Sequence, residues 1–207
     1  MKKDSCELVF IVDKSGSMSG LESDTIGGFN ANLKARKDLG VEVRITTVLF
    51  SNEYELLHDR LDIQAVSPLT EKEYQVGGGT ALLDAVGKTI HKIRKVQKQT
   101  KEEFRSEKVI FVIITDGDEN SSHKYSYENI KMLIEHQREK HGWEFVFLGA
   151  NVDAFTEARK LGISRDNAAE FAANHIGVGN AWAASTVFTG FLRQGKKVRL
   201  EDILSSK

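Results

Sequence analysis

Continuous apolar runs alternate with amphipathic segments along most of this chain. The apolar runs VFIV at 9–12 and KVIFVIIT at 108–115 show no alternation of polar and apolar positions. Runs of this kind are typical of strands covered on both faces, as in a parallel sheet. Shorter apolar or alternating runs predict further strands at 41–50, 54–63, 143–148 and 167–172. The pattern therefore predicts six strands.

Segments with apolar residues at helical spacing lie between these strands. The first helix is predicted from Ser19, whose S-x-x-E pattern resembles a capping box, to about Lys37. Gly27-Gly28 in its middle would allow close packing on the sheet. A long amphipathic helix carries an apolar face formed by Leu83, Val86, Ile90, Ile93 and Val96. Further helices are predicted at 127–140, 153–161 and 179–193, the last as the terminal helix.

The alternation of strands and helices predicts a three-layer α/β fold of the doubly wound, Rossmann-like type. The strand at 54–63 follows the strand at 41–50 after the short turn Ser51-Asn52-Glu53, so the two should form a hairpin. One antiparallel edge strand then joins a mostly parallel, six-stranded sheet with helices on both faces. With 207 residues, no internal repeat and no low-complexity linker, the chain is predicted to form one domain over 1–207.

Polar residues that could bind a metal follow both of the most apolar strands. Asp13, Ser15 and Ser17 come directly after the first, and Asp116 comes directly after the run at 108–115. Thr80 follows a triple glycine at the start of the long amphipathic helix. Ligands of doubly wound sheets bind outside the carboxyl ends of the strands, so these side chains should meet if the two strands are neighbours. Because all donors are oxygens, Mg²⁺, Mn²⁺ or Ca²⁺ suits them better than zinc or copper.

Composition and charge exclude several classes of partner and site. The formal net charge of −1 gives no general attraction to nucleic acid or membrane. Cys6 is the single cysteine, so neither an internal disulfide nor a cysteine metal cluster is expected. No stretch reaches transmembrane length, and the amino terminus does not resemble a secretory signal. We therefore expect a cytoplasmic protein, and a monomer.

The segments DKSGS at 13–17, GT at 79–80 and TDG at 115–117 resemble the metal-ion-dependent adhesion site (MIDAS) of von Willebrand factor type A domains. The resemblance covers nearly the whole chain. It implies that Ser15 and Ser17 bind the ion directly and that Asp13 and Asp116 bind it directly or through water. It also implies that Thr80 binds the ion directly in one state of the domain and not in another. It also implies the function of a non-enzymatic module, in which an Asp or Glu of a protein partner completes the coordination of Mg²⁺.

The alternative is a magnesium-dependent phosphate-ester hydrolase or phosphotransferase that uses Asp13 as its nucleophile. In haloacid-dehalogenase-like enzymes a second Asp stands two residues after the nucleophile, whereas Ser15 occupies that position here. No G-x-S-x-G elbow, P-loop or nucleophile and base pair is visible either, and no catalytic residue is predicted.

Other residues near the motifs are expected to have ordinary roles. Asp118 and Glu119 are predicted to form a solvated acidic turn, and His123 to lie on the surface. Trp143 and Trp182 are predicted to be packing residues.

Overall fold

The computed structural model describes residues 1–40, 42–150 and 153–206, with residues 2–4 described by their backbone alone. Its six strands are β1 (Lys2–Asp13), β2 (Val43–Phe50), β3 (Tyr54–Asp62), β4 (Ser106–Thr115), β5 (Glu144–Ala150) and β6 (Ala168–Phe171). The α-helices are α1 (Glu22–Asp38), α2 (Leu82–Gln99), α3 (Tyr127–His141), α4 (Ala154–Lys160), α5 (His175–Arg193) and α6 (Leu200–Ser205). No helix in these described ranges is both long and apolar enough to span a membrane.

The strands form one sheet in the order β3-β2-β1-β4-β5-β6. The pair β2–β3 is antiparallel, and the other neighbouring pairs are parallel. The predicted fold class is therefore confirmed, including the antiparallel edge strand. The two most apolar strands, β1 and β4, are neighbours at the centre of the sheet, with Val12 opposite Ile114.

Side chains of β1 alternate between two apolar cores, because successive residues of a strand face opposite sides. Leu8, Phe10 and Val12 lie in the core that also contains buried residues of α1, α5 and α6. Val9 and Ile11 lie in the core beneath α2, α3 and α4. All five are fully or almost fully buried, which explains why β1 shows no polar position from Leu8 to Val12.

Helix α1 differs from its prediction in two respects. It begins at Glu22 with Leu21 as the N-cap, and Ser19 makes no capping bond; instead Glu22 accepts from the backbone N–H of Gly20 at 2.7 Å. The predicted capping box is therefore wrong. Gly28 does serve close packing, but against Trp182 of α5 rather than against the sheet, since an added Cβ would lie 2.2 Å from the Trp182 Cδ1 atom.

The carboxyl-terminal part also differs from its prediction. Helix α5 begins at His175, four residues before the predicted start, with Asn174 as its N-cap. It is not the last helix, because α6 follows and fully buries Leu200 in the same core as α1 and α5. Val41, part of the predicted second strand, lies outside the described residues.

Candidate metal centre

The carboxyl ends of β1 and β4 place two carboxylates side by side at one edge of the sheet. Asp13 is the last residue of β1, and Asp116 follows Thr115, the last residue of β4. The two carboxylates are far apart in the sequence. The structure brings their loops together: Ser17 and Asp116, which are 99 residues apart, are joined by a hydrogen bond. The adjacency that the sequence could only suggest is thus a consequence of the strand order.

Asp13 is held in place by three groups. Its Oδ1 atom accepts from the backbone N–H of Ser15 at 2.7 Å, and its Oδ2 atom accepts from the Thr115 hydroxyl. Its backbone carbonyl accepts from the hydroxyl of Tyr74, which is almost completely buried. Asp13 itself is 0% exposed, so its carboxylate has little freedom to move.

Three hydroxyls surround the backbone that follows Asp116. Ser15 Oγ and Ser17 Oγ lie 3.0 Å apart, and Ser17 Oγ donates to Asp116 Oδ1 at 2.7 Å. A Cβ atom built at Gly117 would lie 2.9 Å from Thr80 Oγ1, 3.0 Å from Ser17 Oγ and 3.7 Å from Ser15 Oγ. Only glycine leaves this small space open, because any side chain would enter it.

Thr80 is fixed by hydrogen bonds between loops. Its backbone N–H donates to Asn120 Oδ1 at 2.9 Å, and its carbonyl accepts from the Asn120 N–H at 3.0 Å. The preceding glycines hold the first loop, with the Gly16 N–H donating to the Gly78 carbonyl at 3.0 Å and the Gly77 N–H to that of Lys14 at 2.9 Å. The three motifs therefore form one connected set of loops.

Burial makes both carboxylates unusually hard to ionise. Burial raises the pKa of Asp13 to about 6, against the hydrogen bonds from Thr115 and Ser15, and the nearby Asp116 adds to the rise. Burial also raises the pKa of Asp116, against the hydrogen bond from Ser17. Within the described part of the chain, no lysine or arginine lies within ion-pair distance of either carboxylate; Lys14 instead pairs with Glu55 at 2.6 Å. A cation bound here would remove this electrostatic cost.

One acceptor in this cluster has no partner. The Oδ2 atom of Asp116 is buried, yet it accepts no hydrogen bond from any described residue. An unpaired buried carboxylate oxygen is costly, and such exceptions call for a physical reason. The donors around it are two carboxylates and hydroxyls, and no group of three or more His, Cys, Asp or Glu side chains converges here or elsewhere in the described ranges. This donor set fits a hard divalent cation.

The five predicted site residues Asp13, Ser15, Ser17, Thr80 and Asp116 are thus brought together, and their role as metal ligands stays a prediction. The sequence reasoning assigned no role in orienting these side chains to Tyr74, Thr115 or Asn120. Thr115 belongs to the TDG segment, and Asn120 to the polar stretch after β4, so both could have been considered on that ground. Tyr74 gave no signal, because it lies in a loop without a motif.

Glu119 corrects the expectation of a solvated acidic turn. It is only partly exposed, and its carboxylate accepts from the Leu83 N–H at 2.9 Å and from the Ser122 N–H at 2.7 Å. It therefore ties the loop after β4 to the amino-terminal end of α2. Asp118 and His123 are exposed, as expected, and both tryptophans are buried packing residues.

The family model for the von Willebrand factor type A domain matches residues 7–177. The chain belongs to this family. The matched segment includes all five candidate ligands, whereas most of α5 and all of α6 lie beyond it. The prediction of a single von Willebrand factor A domain over the whole of 1–207 stays a prediction. Members of the family are generally adhesion and interaction modules and commonly mediate metal-dependent protein interactions.

Several solved structures share this fold at low sequence identity. Proximal thread matrix protein 1 from the mussel byssus is 15% identical, with a TM-score of 0.60 over 90% of this chain and 46% of its own. A von Willebrand factor type A protein from Catenulispora acidiphila is also 15% identical, with a TM-score of 0.60 over 89% of this chain and 42% of its own. The PilB minor pilin from Streptococcus sanguinis is 10% identical, with a TM-score of 0.63 over 94% of this chain and 63% of its own.

A further structure of the mussel protein has its MIDAS motif occupied by zinc; it is 14% identical, with a TM-score of 0.58 over 90% of this chain and 46% of its own. The present chain spans 42% to 63% of the length of these structural relatives. Comparison with curated protein sequences gives no significant match.

Proposed function

We propose that this chain is a divalent-cation-dependent protein-binding module with an intact MIDAS. In this proposal Asp13, Ser15, Ser17, Thr80 and Asp116 hold the ion, and an Asp or Glu of a protein partner completes its coordination. The chain acts by binding and carries out no reaction. The partner supplies a charged oxygen ligand, so the contact depends on the ion and has a defined direction.

The observation that carries the proposal is the unpaired Oδ2 atom of Asp116. It is buried beside the hydroxyl cluster and has no hydrogen-bond donor among the described residues. Ser17, which donates to the other carboxylate oxygen, is itself exposed, so the cluster reaches the surface. A partner can therefore approach the ion from the side of Ser17 without moving the strands.

Magnesium is the proposed ion, with Mn²⁺ or Ca²⁺ as possible substitutes. Two carboxylates balance the charge of a divalent ion, while the serine and threonine hydroxyls add no charge. Such an ion keeps some of its water ligands, and an outside carboxylate can replace one of them. The zinc in the mussel protein's MIDAS supports occupation of this type of site by a divalent cation, but nitrogen and sulfur donors, which zinc prefers, are absent from this cluster.

The geometry gives no support to hydrolysis through Asp13. A nucleophilic carboxylate needs an oxygen that can reach a substrate, but both Asp13 oxygens accept hydrogen bonds and the residue is 0% exposed. No base lies where a second Asp would be required, because Ser15 occupies that position. Asp13 fits the role of a structural or water-mediated ligand better than that of a nucleophile.

Cytoplasmic location and a monomeric state are part of the proposal, as is the absence of nucleic-acid and membrane partners. The near-neutral charge supports the last point. Cell fractionation and light scattering of the purified protein would test the first two.

Calorimetric titration with Mg²⁺ and Mn²⁺ tests the metal assignment. Asp116→Asn removes a ligand charge at nearly constant volume, and Asp118→Asn is the matched control because Asp118 is exposed two residues away. We expect Asp116→Asn to weaken binding by about tenfold or more, at least as much as typical changes around a metal site, and Asp118→Asn to leave it unchanged. Equal heats from all three proteins would contradict the metal site.

Affinity capture in three buffers tests the partner. The immobilised protein is exposed to cell extract with Mg²⁺, with EDTA, and with EDTA followed by excess Mg²⁺. A partner of the proposed kind is retained only when Mg²⁺ is present and is lost with Ser17→Ala. Substitution of its acidic residues, one at a time, should then identify a carboxylate whose loss abolishes binding. Retention that is unaffected by EDTA would rule out an ion-bridged contact.

A further inference from the structure

A cavity of about 370 Å³ lies at the edge of the sheet opposite to the metal centre. Ser106 and Val109 at the start of β4, and Trp143 just before β5, form one side. The carboxyl-terminal turns of α2 and α3 form the others. We refer to this cavity as the amino-edge pocket. Its volume falls within the range of roughly 300 to 1,000 Å³ that is typical of small-molecule sites.

Gln137 of α3 lines this pocket and carries an amide without partners. The residue is 0% exposed, and neither Nε2 nor Oε1 makes a hydrogen bond to any described residue. An amide offers two donors and an acceptor, and burying all of them unpaired is unfavourable. Gln137 is one of the residues that line the pocket, so a bound molecule offers this amide a partner once the side chain turns towards it, whereas no described residue pairs with it.

Cationic side chains gather around the mouth of the pocket. Arg94 and Lys98 stand one helical turn apart on α2, and Arg105 follows on the loop before β4. Within the described residues no carboxylate lies within 4.0 Å of these three cations, and Arg105 donates to the Thr100 carbonyl at 2.8 Å. Among the described residues of the lining, the exposed Glu107 is the one carboxylate.

His141 reports the positive potential in this region. Burial, and after it the positive groups of His136, Arg94 and Arg105, lower the pKa of His141 below its usual value. Its ring also lies near Trp143, with 6.4 Å between ring centroids. Burial disfavours a charge of either sign, whereas the positive groups around His141 favour an anion.

Interaction with helix ends accounts for only part of this arrangement. Basic residues in the last turn of a helix interact favourably with its unpaired carbonyl groups. This interaction explains the positions of Lys98 in α2 and His141 in α3. It does not explain Arg94, which stands a turn earlier, or the unpaired amide of Gln137. A ligand with both an anionic group and a hydrogen-bonding body accounts for all of these groups together.

We propose that the amino-edge pocket binds a phosphorylated small molecule of about mononucleotide size. Its phosphate lies among Arg94, Lys98 and Arg105, which provide charge-assisted hydrogen bonds. Its polar body pairs with the Gln137 amide and packs on the apolar wall formed by Val109 and Trp143. Inorganic phosphate alone is too small to occupy the pocket and leaves Gln137 unpaired. This site is separate from the metal centre, so chelation of divalent ions does not affect it.

Calorimetry in EDTA with AMP, UMP and inorganic phosphate as probes tests the proposal on the full chain. We expect at least one mononucleotide to bind more tightly than phosphate. Arg94→Ser/Lys98→Ser should weaken this binding by about tenfold or more, as expected for loss of charged contacts to phosphate. The matched control is Lys95→Ser/Lys140→Ser, which removes the same charge from exposed positions outside the lining and should bind as the wild type does.

Gln137→Met tests the contact with the polar body of the ligand independently of the contact with its phosphate. Methionine has a similar volume to glutamine but lacks the amide. We expect this variant to bind the nucleotide at least about fivefold more weakly while its affinity for inorganic phosphate stays the same. Thermal denaturation without ligand checks that the variant is folded. Absence of binding by both nucleotides, equal binding of nucleotide and phosphate, or equal losses in the control variant would each overturn the proposal.

Discussion

At the scale of single residues, the two central carboxylates differ in how they are bound. Both oxygens of Asp13 accept hydrogen bonds, whereas Oδ2 of Asp116 accepts none among the described residues. Asp13 is therefore the fixed side of the cluster, and Asp116 has the oxygen that is free for a ligand. Two carboxylates at neighbouring strand ends thus have different hydrogen-bond environments.

Gly117 tests whether the space between the hydroxyls is needed. The methyl carbon of an alanine at this position would lie 2.9 Å from Thr80 Oγ1 and 3.0 Å from Ser17 Oγ. These distances are too short for a methyl group, so the two hydroxyls would have to move. We expect Gly117→Ala to weaken Mg²⁺ binding by about tenfold. Gly16→Ala is the control, since its Cβ would meet only the Gly78 carbonyl oxygen at 3.4 Å. Calorimetric titration with Mg²⁺ measures the affinity of each variant. Equal Mg²⁺ affinities of the two variants would contradict the prediction.

Tyr74 provides a test of the support beneath Asp13. Tyr74→Phe removes the hydroxyl that donates to the Asp13 carbonyl and leaves that carbonyl without this donor in a buried place. We expect a loss of about 1–2 kcal/mol in the free energy of unfolding, measured by urea denaturation. A variant as stable as the wild type would show that water replaces the hydroxyl.

The sequence predicted the candidate ligands but not the residues that hold them. Asp13, Ser15 and Ser17 follow an apolar run directly, so their place at a strand tip could be inferred from local pattern. The bond from Tyr74 to Asp13 spans 61 residues and depends on how a loop without a motif crosses the sheet edge. Glu119 was misjudged for a similar reason, because its partner Leu83 comes from another element.

At the scale of elements, α1 and α5 make an unusually close and polar contact. Gly28 faces Trp182, and the Asn32 amide donates to the hydroxyls of Thr186 at 2.6 Å and Ser185 at 3.1 Å. Arg36 is almost completely buried there and donates to Asn32 Oδ1 at 2.8 Å, and burial lowers its pKa to about 10. This interface is specified by hydrogen bonds as well as by apolar packing.

The adjacent glycines of α1 form a matched pair for this contact. An added Cβ at Gly27 meets nothing within 4 Å, whereas at Gly28 it would overlap Trp182. We expect Gly27→Ala to stabilise the protein by about 0.5–1 kcal/mol through helix propensity. Gly28→Ala should destabilise it despite the same gain, because α1 and α5 must separate. Denaturation curves that move in the same direction for both variants would contradict this account.

The element predictions were accurate where periodicity was strong and poor where it was not. Strand β4 and helix α2 were found from apolar pattern alone. The first turn of α5 was missed because Ile176 is 76% exposed and Gly177 is a poor helix former. Helix α6 was missed because it has only six residues, and its burial depends on a core assembled from distant segments.

At the scale of the whole molecule, the segment beyond the family match completes the core. Leu200 is 0% exposed among residues of α1 and α5. We expect Leu200→Ala to lower the free energy of unfolding by about 2–4 kcal/mol, as for other large-to-small core changes. Leu39→Ala is the control: Leu39 is 68% exposed, so its effect should stay within about 0.5 kcal/mol. A small effect at Leu200 would mean that α6 is not part of the cooperative unit.

His58 links the stability of the whole fold to pH. It is buried, its Nδ1 atom lies 3.0 Å from Thr47 Oγ1, and its ring stacks on Phe29. Burial lowers the pKa of His58, against the charge of Glu73. The unfolded chain therefore binds the proton more readily, so stability is lost as the pH falls through the ordinary value of about 6.5 and towards the folded value. We expect His58→Gln to flatten the decline in unfolding free energy between roughly pH 7.5 and 5.5.

The control for this variant is the comparison at about pH 8, where the imidazole is neutral in both states. The difference between wild type and His58→Gln at that pH measures lost packing alone. Parallel curves over the whole range would show that another group sets the acid dependence.

The central position of β1 also has a consequence for synthesis of the chain. Of its two neighbours, β2 begins at Val43, but β4 does not begin until Ser106. During translation β1 therefore pairs on one side first and keeps its other edge open while the next sixty or so residues are made, at a time when domains begin to fold from the amino terminus. Because Asp116 follows β4 in the chain, the nascent chain cannot assemble the two-carboxylate cluster before β4 is made, and an ion held by both carboxylates would enter only after that point.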